Sequence, residues 1–175
     1  MTIAVCPLSR VPDRIRALRP ARVISLLDPY TRFPDTGYGE RHLRVTMHDI
    51  VADAPGALAP TQAHIEQILT FIEGWNGDAP LLVHCFAGIS RSSATAFIAA
   101  CLHNPRADEH AIAVALRAAS ANARPNGRMI DLADIVLGRN GRMSAALHET
   151  GRELPWLDIQ ENDPFSIPSV FEATR

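Results

Sequence analysis

Several features are missing from this chain of 175 residues. No apolar run approaches the length needed for a membrane-spanning helix. The cysteines number only three, Cys6, Cys85 and Cys101, an odd count without framework spacing, which argues against a disulfide scaffold. Charge of one sign is not in excess either. With 17 basic and 19 acidic residues the formal charge is −2, so no bulk field draws the protein to nucleic acid or anionic lipid. Any anion site must be local. The opening MTIAVCPLSRVPDR lacks a basic n-region and holds only a short apolar run, so a secretory leader is not expected. The seven histidines show no paired metal spacing, and His103 and His110 straddle the break NPRAD rather than sharing a helical face. The expectation is a cytoplasmic, reduced protein without metal or cofactor and without a nucleic-acid or membrane partner. Its oligomeric state is left open.

What is present is ordinary globular composition, 47% hydrophobic and 21% charged, in a length that suits one domain. Apolar runs predict strands at Ile3–Cys6, Arg22–Leu27, His42–Thr46 and Leu81–His84. PDRIRALRP between the first two has a proline-bounded helical look, and Pro20 stops it. Asp28–Glu40 and VADAPGALAP read as loops from their Pro, Gly and Asp content. Thr61 is a candidate N-cap, after which Ile65, Ile68, Leu69 and Ile72 follow helical spacing. Further helices are predicted over Arg91–His103, Asp108–Ala121, Gly127–Leu137 and Arg142–Gly151. Strands interleaved with helices, then a helical second half, predict an α/β fold with a mainly parallel sheet flanked by helices. The expected division is one domain over 1–175, its core about 1–138, with a helix and an extended arm over 139–175.

The chemistry gathers in LLVHCFAGISRSS, Leu81 to Ser93. A short apolar run ends at His84-Cys85, CFAGIS must turn the chain, and RSSATAFIAACL opens a helix. A strand, a glycine-containing loop and a helix N-terminus together collect backbone N–H groups around an anion. Gly88 permits a conformation or close approach that a Cβ would obstruct. The guanidinium of Arg91 can hold two phosphate oxygens at once. Cys85 faces the same donors, and a field that attracts phosphate also favours a thiolate.

The run from His84 to Ser92 resembles the His-Cys-x5-Arg-Ser/Thr signature of the cysteine-dependent protein tyrosine phosphatases. Its Ala-Gly-Ile-Ser-Arg-Ser form is similar to the small dual-specificity branch. Arg124-Pro125-Asn126 resembles, in compressed form, the Arg-Pro…Pro-Asn segment that opens a later helix in those enzymes. The resemblance implies that Cys85 is a nucleophile forming a phosphocysteine. It implies that Arg91 and the loop Phe86, Ala87, Gly88, Ile89, Ser90 bind the phosphate. Ser92 would hydrogen-bond the thiolate, His84 would orient the loop, and Asn126 would support the site.

The family also uses an aspartate from an earlier loop as general acid. Asp49 directly follows the third predicted strand, 36 positions before Cys85, and is the favoured candidate. Asp53 is the alternative and Asp35 a remote third. Cys101 on an apolar helix reads as core, as does Cys6 in a strand, with a Cys6–Cys85 disulfide left open. None of the loop's variable positions is basic, whereas phosphatases of multiply phosphorylated lipids in this superfamily usually carry lysines there. The expected substrate is therefore a phosphorylated protein, phosphotyrosine first, or another small phosphomonoester. A non-catalytic phosphate-binding module and an arsenate reductase are the other readings of a Cys-x5-Arg loop.

Overall fold

In the computed structural model residues 1–151 and 158–173 are described. The strands are β1 (Thr2–Pro7), β2 (Arg22–Leu27), β3 (His42–Thr46), β4 (Leu81–Cys85) and β5 (Phe165–Pro168). They form one sheet in the order β3-β2-β4-β1-β5, the first four parallel and β5 antiparallel to β1. The helices are α1 (Val11–Leu18), α2 (Gln62–Glu73), α3 (Arg91–His103), α4 (Glu109–Ala119), α5 (Gly127–Val136) and α6 (Arg142–Gly151).

Strand periodicity separates two apolar layers. Ile3, Val5, Ile24, Leu26, Leu81, Val83 and Cys85 join the larger core shared with α2 to α6. Ala4, Cys6, Val23 and Leu82 point the other way, against Val11, Ile15 and Leu18. Both faces of the parallel strands are covered, so these segments read as continuous apolar runs rather than alternating ones. Helix α3 is buried from Arg91 through Cys101, which explains why its sequence is apolar and small on nearly every side.

Thr61 does cap α2, accepting from the His64 N–H, and Asp108 and Asn126 cap α4 and α5 through their side chains. The tail is where the structure adds most. Residues 152–157 and 174–175 of the expected arm lie outside the described residues. Beyond them Phe165 and Ile167 turn inward, and the segment becomes an edge strand on β1. Met143, Ala146, Phe165 and Ile167 belong to the same core as the central strands.

Candidate active site

The loop after β4 lies at the carboxyl end of the parallel strands, where such sheets place ligands. It owes its shape to Gly88. This residue has φ +73°, and a Cβ built on it would stand 2.8 Å from the Pro7 nitrogen and 2.9 Å from the Cys6 carbonyl carbon. Only glycine lets the loop lie this close to the end of β1.

Every carbonyl from Phe86 to Ser90 is engaged by other parts of the chain. Phe86 C=O accepts from Leu8 N–H at 3.0 Å, Ala87 C=O from Asn162 N–H at 2.8 Å, and Ile89 C=O from Arg124 N–H at 2.9 Å. Gly88 C=O accepts from Asn162 Nδ2 at 3.3 Å. Ser90 C=O accepts from Ala94 N–H at 2.9 Å and more weakly from Asn126 N–H at 3.4 Å. In a trans peptide plane the N–H of the next residue points opposite to the C=O. The N–H groups of residues 87 to 91 are therefore turned toward the side the carbonyls avoid, and the N-terminus of α3 adds its dipole there.

Cys85 and Arg91 are brought to this ring. The Cys85 side chain is 1% exposed, and its Sγ lies 3.2 Å from Ser92 Oγ. Arg91 is 4% exposed, and its Nη1 donates to Met47 C=O at 2.6 Å. Its buried Nε has no hydrogen-bond partner among the described residues. Asp28, just after β2, also senses Arg91. Burial opposes ionisation of Asp28, but the Thr31 hydroxyl at 2.9 Å, backbone N–H groups and the Arg91 charge outweigh it and hold the carboxyl below its usual range.

Of the three candidate acids, Asp49 is the one at the loop. Its Oδ1 accepts from Ser90 Oγ at 2.7 Å and from Asn126 Nδ2 at 2.8 Å, and its Oδ2 is 3.8 Å from Arg91 Nε. Asp53 has an 84% exposed side chain paired with Arg128 at 2.9 Å. Asp35 closes a local turn, accepting from Gly37 N–H at 3.2 Å. Beside Ser90 opens a cleft of about 770 Å³ lined by Asp49, Ile50, Val51, Ala52 and Pro125.

His84 is buried on the α1 side of the sheet. Its Nε2 is hydrogen-bonded to Ser25 Oγ, whose oxygen also meets His42 Nε2 at 2.7 Å, and His42 Nδ1 meets Thr36 Oγ1 at 2.9 Å. Burial pushes the pKa of both histidines down to about 4. Cys6 pairs across the ladder with His84 while Pro7 pairs with Cys85, so Cys6 and Cys85 fall on opposite sides of the sheet. All three cysteines are free, and burial pushes the Cys6 and Cys101 thiols up to about 12. The open disulfide alternative finds no support in this arrangement.

Sequence reasoning missed Asn162, Ser25, Asp28 and the Met47 carbonyl. None of them lies in a local motif, and only the folded chain brings them to the loop.

The sequence profile of the protein-tyrosine phosphatase family matches residues 45–128, from the end of β3 to the start of α5. None of the curated proteins matches the chain. Among solved structures, human DUSP28 superposes with a TM-score of 0.58 at 16% identity, covering 78% of this chain and 88% of that one. PTPMT1 in complex with PI(5)P gives 0.55 at 14% identity, covering 77% and 88%. DUSP15 gives 0.53 at 19% identity, covering 86% and 91%.

Proposed function

We propose that the chain is a cysteine-dependent protein-tyrosine phosphatase of the small dual-specificity-like form, which hydrolyses phosphotyrosine in proteins through a phosphocysteine intermediate; the family profile over residues 45–128 and the shared fold support this reading. Phosphoserine and phosphothreonine are secondary substrates on this reading. The observation that carries it is the loop itself. Cys85, Arg91 and Ser92 meet at a ring whose carbonyls are all turned away.

In the first step the Cys85 thiolate attacks phosphorus and the P–O bond to the substrate breaks. Asp49 gives its proton to the departing oxygen, leaving a phosphocysteine. In the second step Asp49, now a carboxylate, takes a proton from water as that water attacks phosphorus. The S–P bond breaks, inorganic phosphate leaves, and the Ser92 hydroxyl donates to the emerging thiolate. Arg91 and the loop amides stabilise the charge on the equatorial oxygens in both steps.

For the substrate, the cleft beside Ser90 presents Ile50, Val51, Ala52 and Pro125, which suits an aryl ring better than a polyphosphate. All 17 basic residues of the chain are arginines, so a second phosphate would have to meet one of those. Arg124 lines the cleft but donates to the Ala121 and Ala123 carbonyls, and Arg128 donates to the Pro60 carbonyl and pairs with Asp53. The solved complex of PTPMT1 with PI(5)P makes an inositide the alternative to be tested. The experiment compares kcat/KM on phosphotyrosine peptides and on phosphoinositides, with Cys85→Ser as control and chelator present. Preference for the peptides, unaffected by chelator and abolished in Cys85→Ser, is expected. Preference for inositides overturns the substrate assignment, and turnover by Cys85→Ser overturns the mechanism.

A further inference from the structure

The phosphate loop is held from behind by a part of the chain far outside its motif. Asn162 is 5% exposed. Its backbone N–H donates to Ala87 C=O at 2.8 Å, and its Nδ2 donates to Gly88 C=O at 3.3 Å and to Ser120 Oγ at 2.9 Å. The residue before it, Glu161, accepts from Ser9 Oγ at 2.6 Å. The rest of this segment is docked independently. β5 pairs with β1, Asn104 Nδ2 donates to Ser169 C=O at 2.9 Å, and Asn104 Oδ1 accepts from Phe171 N–H at 2.8 Å.

Two adjacent peptide planes, Ala87–Gly88 and Gly88–Ile89, thus have their carbonyls fixed by one residue. They are also the planes most able to rotate, because they flank a glycine, whose φ is +73°. A flip of either would remove an N–H from the anion and aim a carbonyl dipole at it instead. We propose that Asn162 is a positioning residue that locks these two planes with the N–H groups of Gly88 and Ile89 toward the phosphate. Docking of the C-terminal segment and oxyanion affinity are thereby coupled. This rests on the reading of the loop as a phosphate site.

Asn162→Ala removes the bond to Gly88, and Asn162→Asp sets a carboxylate oxygen against the same carbonyl. The measurements are orthovanadate and inorganic phosphate affinity, kcat and KM on an aryl phosphate, and amide hydrogen exchange at Gly88 and Ile89. Asn162→Ala should weaken oxyanion binding about 5- to 30-fold, as expected when a buried acceptor loses its partner. Asn162→Asp should weaken it further, and exchange at the two amides should accelerate in both. Ile167 pairs with Ile3 at the end of the strand remote from the loop. Ile167→Val or Ile167→Ala, whichever matches the thermal loss of Asn162→Ala, should therefore keep oxyanion affinity within about twofold, since distant sites act independently. Equal loss in that control, or unchanged affinity in the Asn162 variants, overturns the lock. Vanadate binding by the wild type is read first. Its absence would overturn the phosphatase reading, and the exchange data then decide the lock alone: faster exchange in Asn162→Ala supports it, and unchanged exchange overturns it.

Discussion

The sulfur of Cys85 and the hydroxyl of Ser92 lie 3.2 Å apart, both closed from solvent. The first ends β4 and the second sits in the first turn of α3, so the loop between them acts as a calliper that sets this distance. A donor at that spacing favours sulfur when it carries negative charge, and it does so most when the S–P bond breaks.

Ser92→Ala should therefore slow breakdown of the phosphocysteine more than its formation. Rapid-mixing kinetics with a nitrophenyl phosphate should show a burst of nitrophenol release followed by a slower steady state, with kcat reduced about 10²- to 10³-fold, the range for loss of one charge-stabilising donor. A uniform loss without a burst would place Ser92 in structure alone.

Asp49 is held by Ser90, Asn126 and, at longer range, Arg91, whereas Asp53 is committed to Arg128 at the surface. Asp49→Asn should slow hydrolysis of phosphotyrosine or alkyl phosphates about 10²- to 10⁴-fold and a nitrophenyl phosphate far less, because a stable phenolate leaves without a proton. Alkylation of Cys85 by iodoacetamide should proceed as in wild type. If Asp53→Asn shows this pattern instead, the acid is the later aspartate.

Gly88→Ala tests the loop's contact with β1. The new methyl must sit 2.8 Å from the Pro7 nitrogen at φ +73°, and both are backbone constraints that a rotamer change cannot relieve. Left-handed backbone alone costs alanine about 1–2 kcal/mol. The expected outcome is loss of vanadate binding with most of the thermal stability retained, since the sheet and helices are untouched. Wild-type vanadate affinity would show that the loop tolerates a different path.

Most of the fold was legible because its elements carry their own signals. Arg22–Leu27 and Leu81–Cys85 are buried on both faces and so read as unbroken apolar strands. Ile65, Ile68, Leu69 and Ile72 repeat at helical spacing behind a Thr cap. The nucleophile and the arginine are local too, since the loop that joins them is contiguous. β5 was not legible as a strand. It is only four residues, bounded by Pro164 and Pro168, and its pairing with β1 spans nearly the whole chain. Asn162 sits in the polar run QENDP, which resembles any solvated loop, and its bond to Gly88 bridges 74 positions. Ser25 looks like a polar lapse within an apolar strand until His42 and His84 are placed on either side of it.

That buried histidine pair gives the last prediction, on stability against pH. Both His42 and His84 have their pKa pushed down to about 4 from 6.5 by burial, with Arg44 opposing the charge on His42, and with His42 and Arg91 opposing it on His84. In the unfolded chain each returns to 6.5, so between pH 6.5 and about 4 the unfolded state binds more protons than the folded one. Their contribution is complete above pH 6.5, declines as pH falls, and is lost by about pH 4. For His84, fully buried, the loss is on the order of 3 kcal/mol. Glu109 and Asp28, held low by their partners, release their own contribution only below the usual carboxylate range. The window from pH 6.5 to 5 therefore isolates histidines: the buried pair, and half-buried His64, whose pKa burial also lowers and which adds in the same direction. Denaturant unfolding should show wild-type stability falling steadily across it, and His42→Asn should show a shallower fall. Ring proton resonances of His42 and His84 should stay at neutral positions down to about pH 5. A pH-independent plateau over that window, or midpoints near 6.5 in the resonances, would mean that the Ser25-linked pair is open to water.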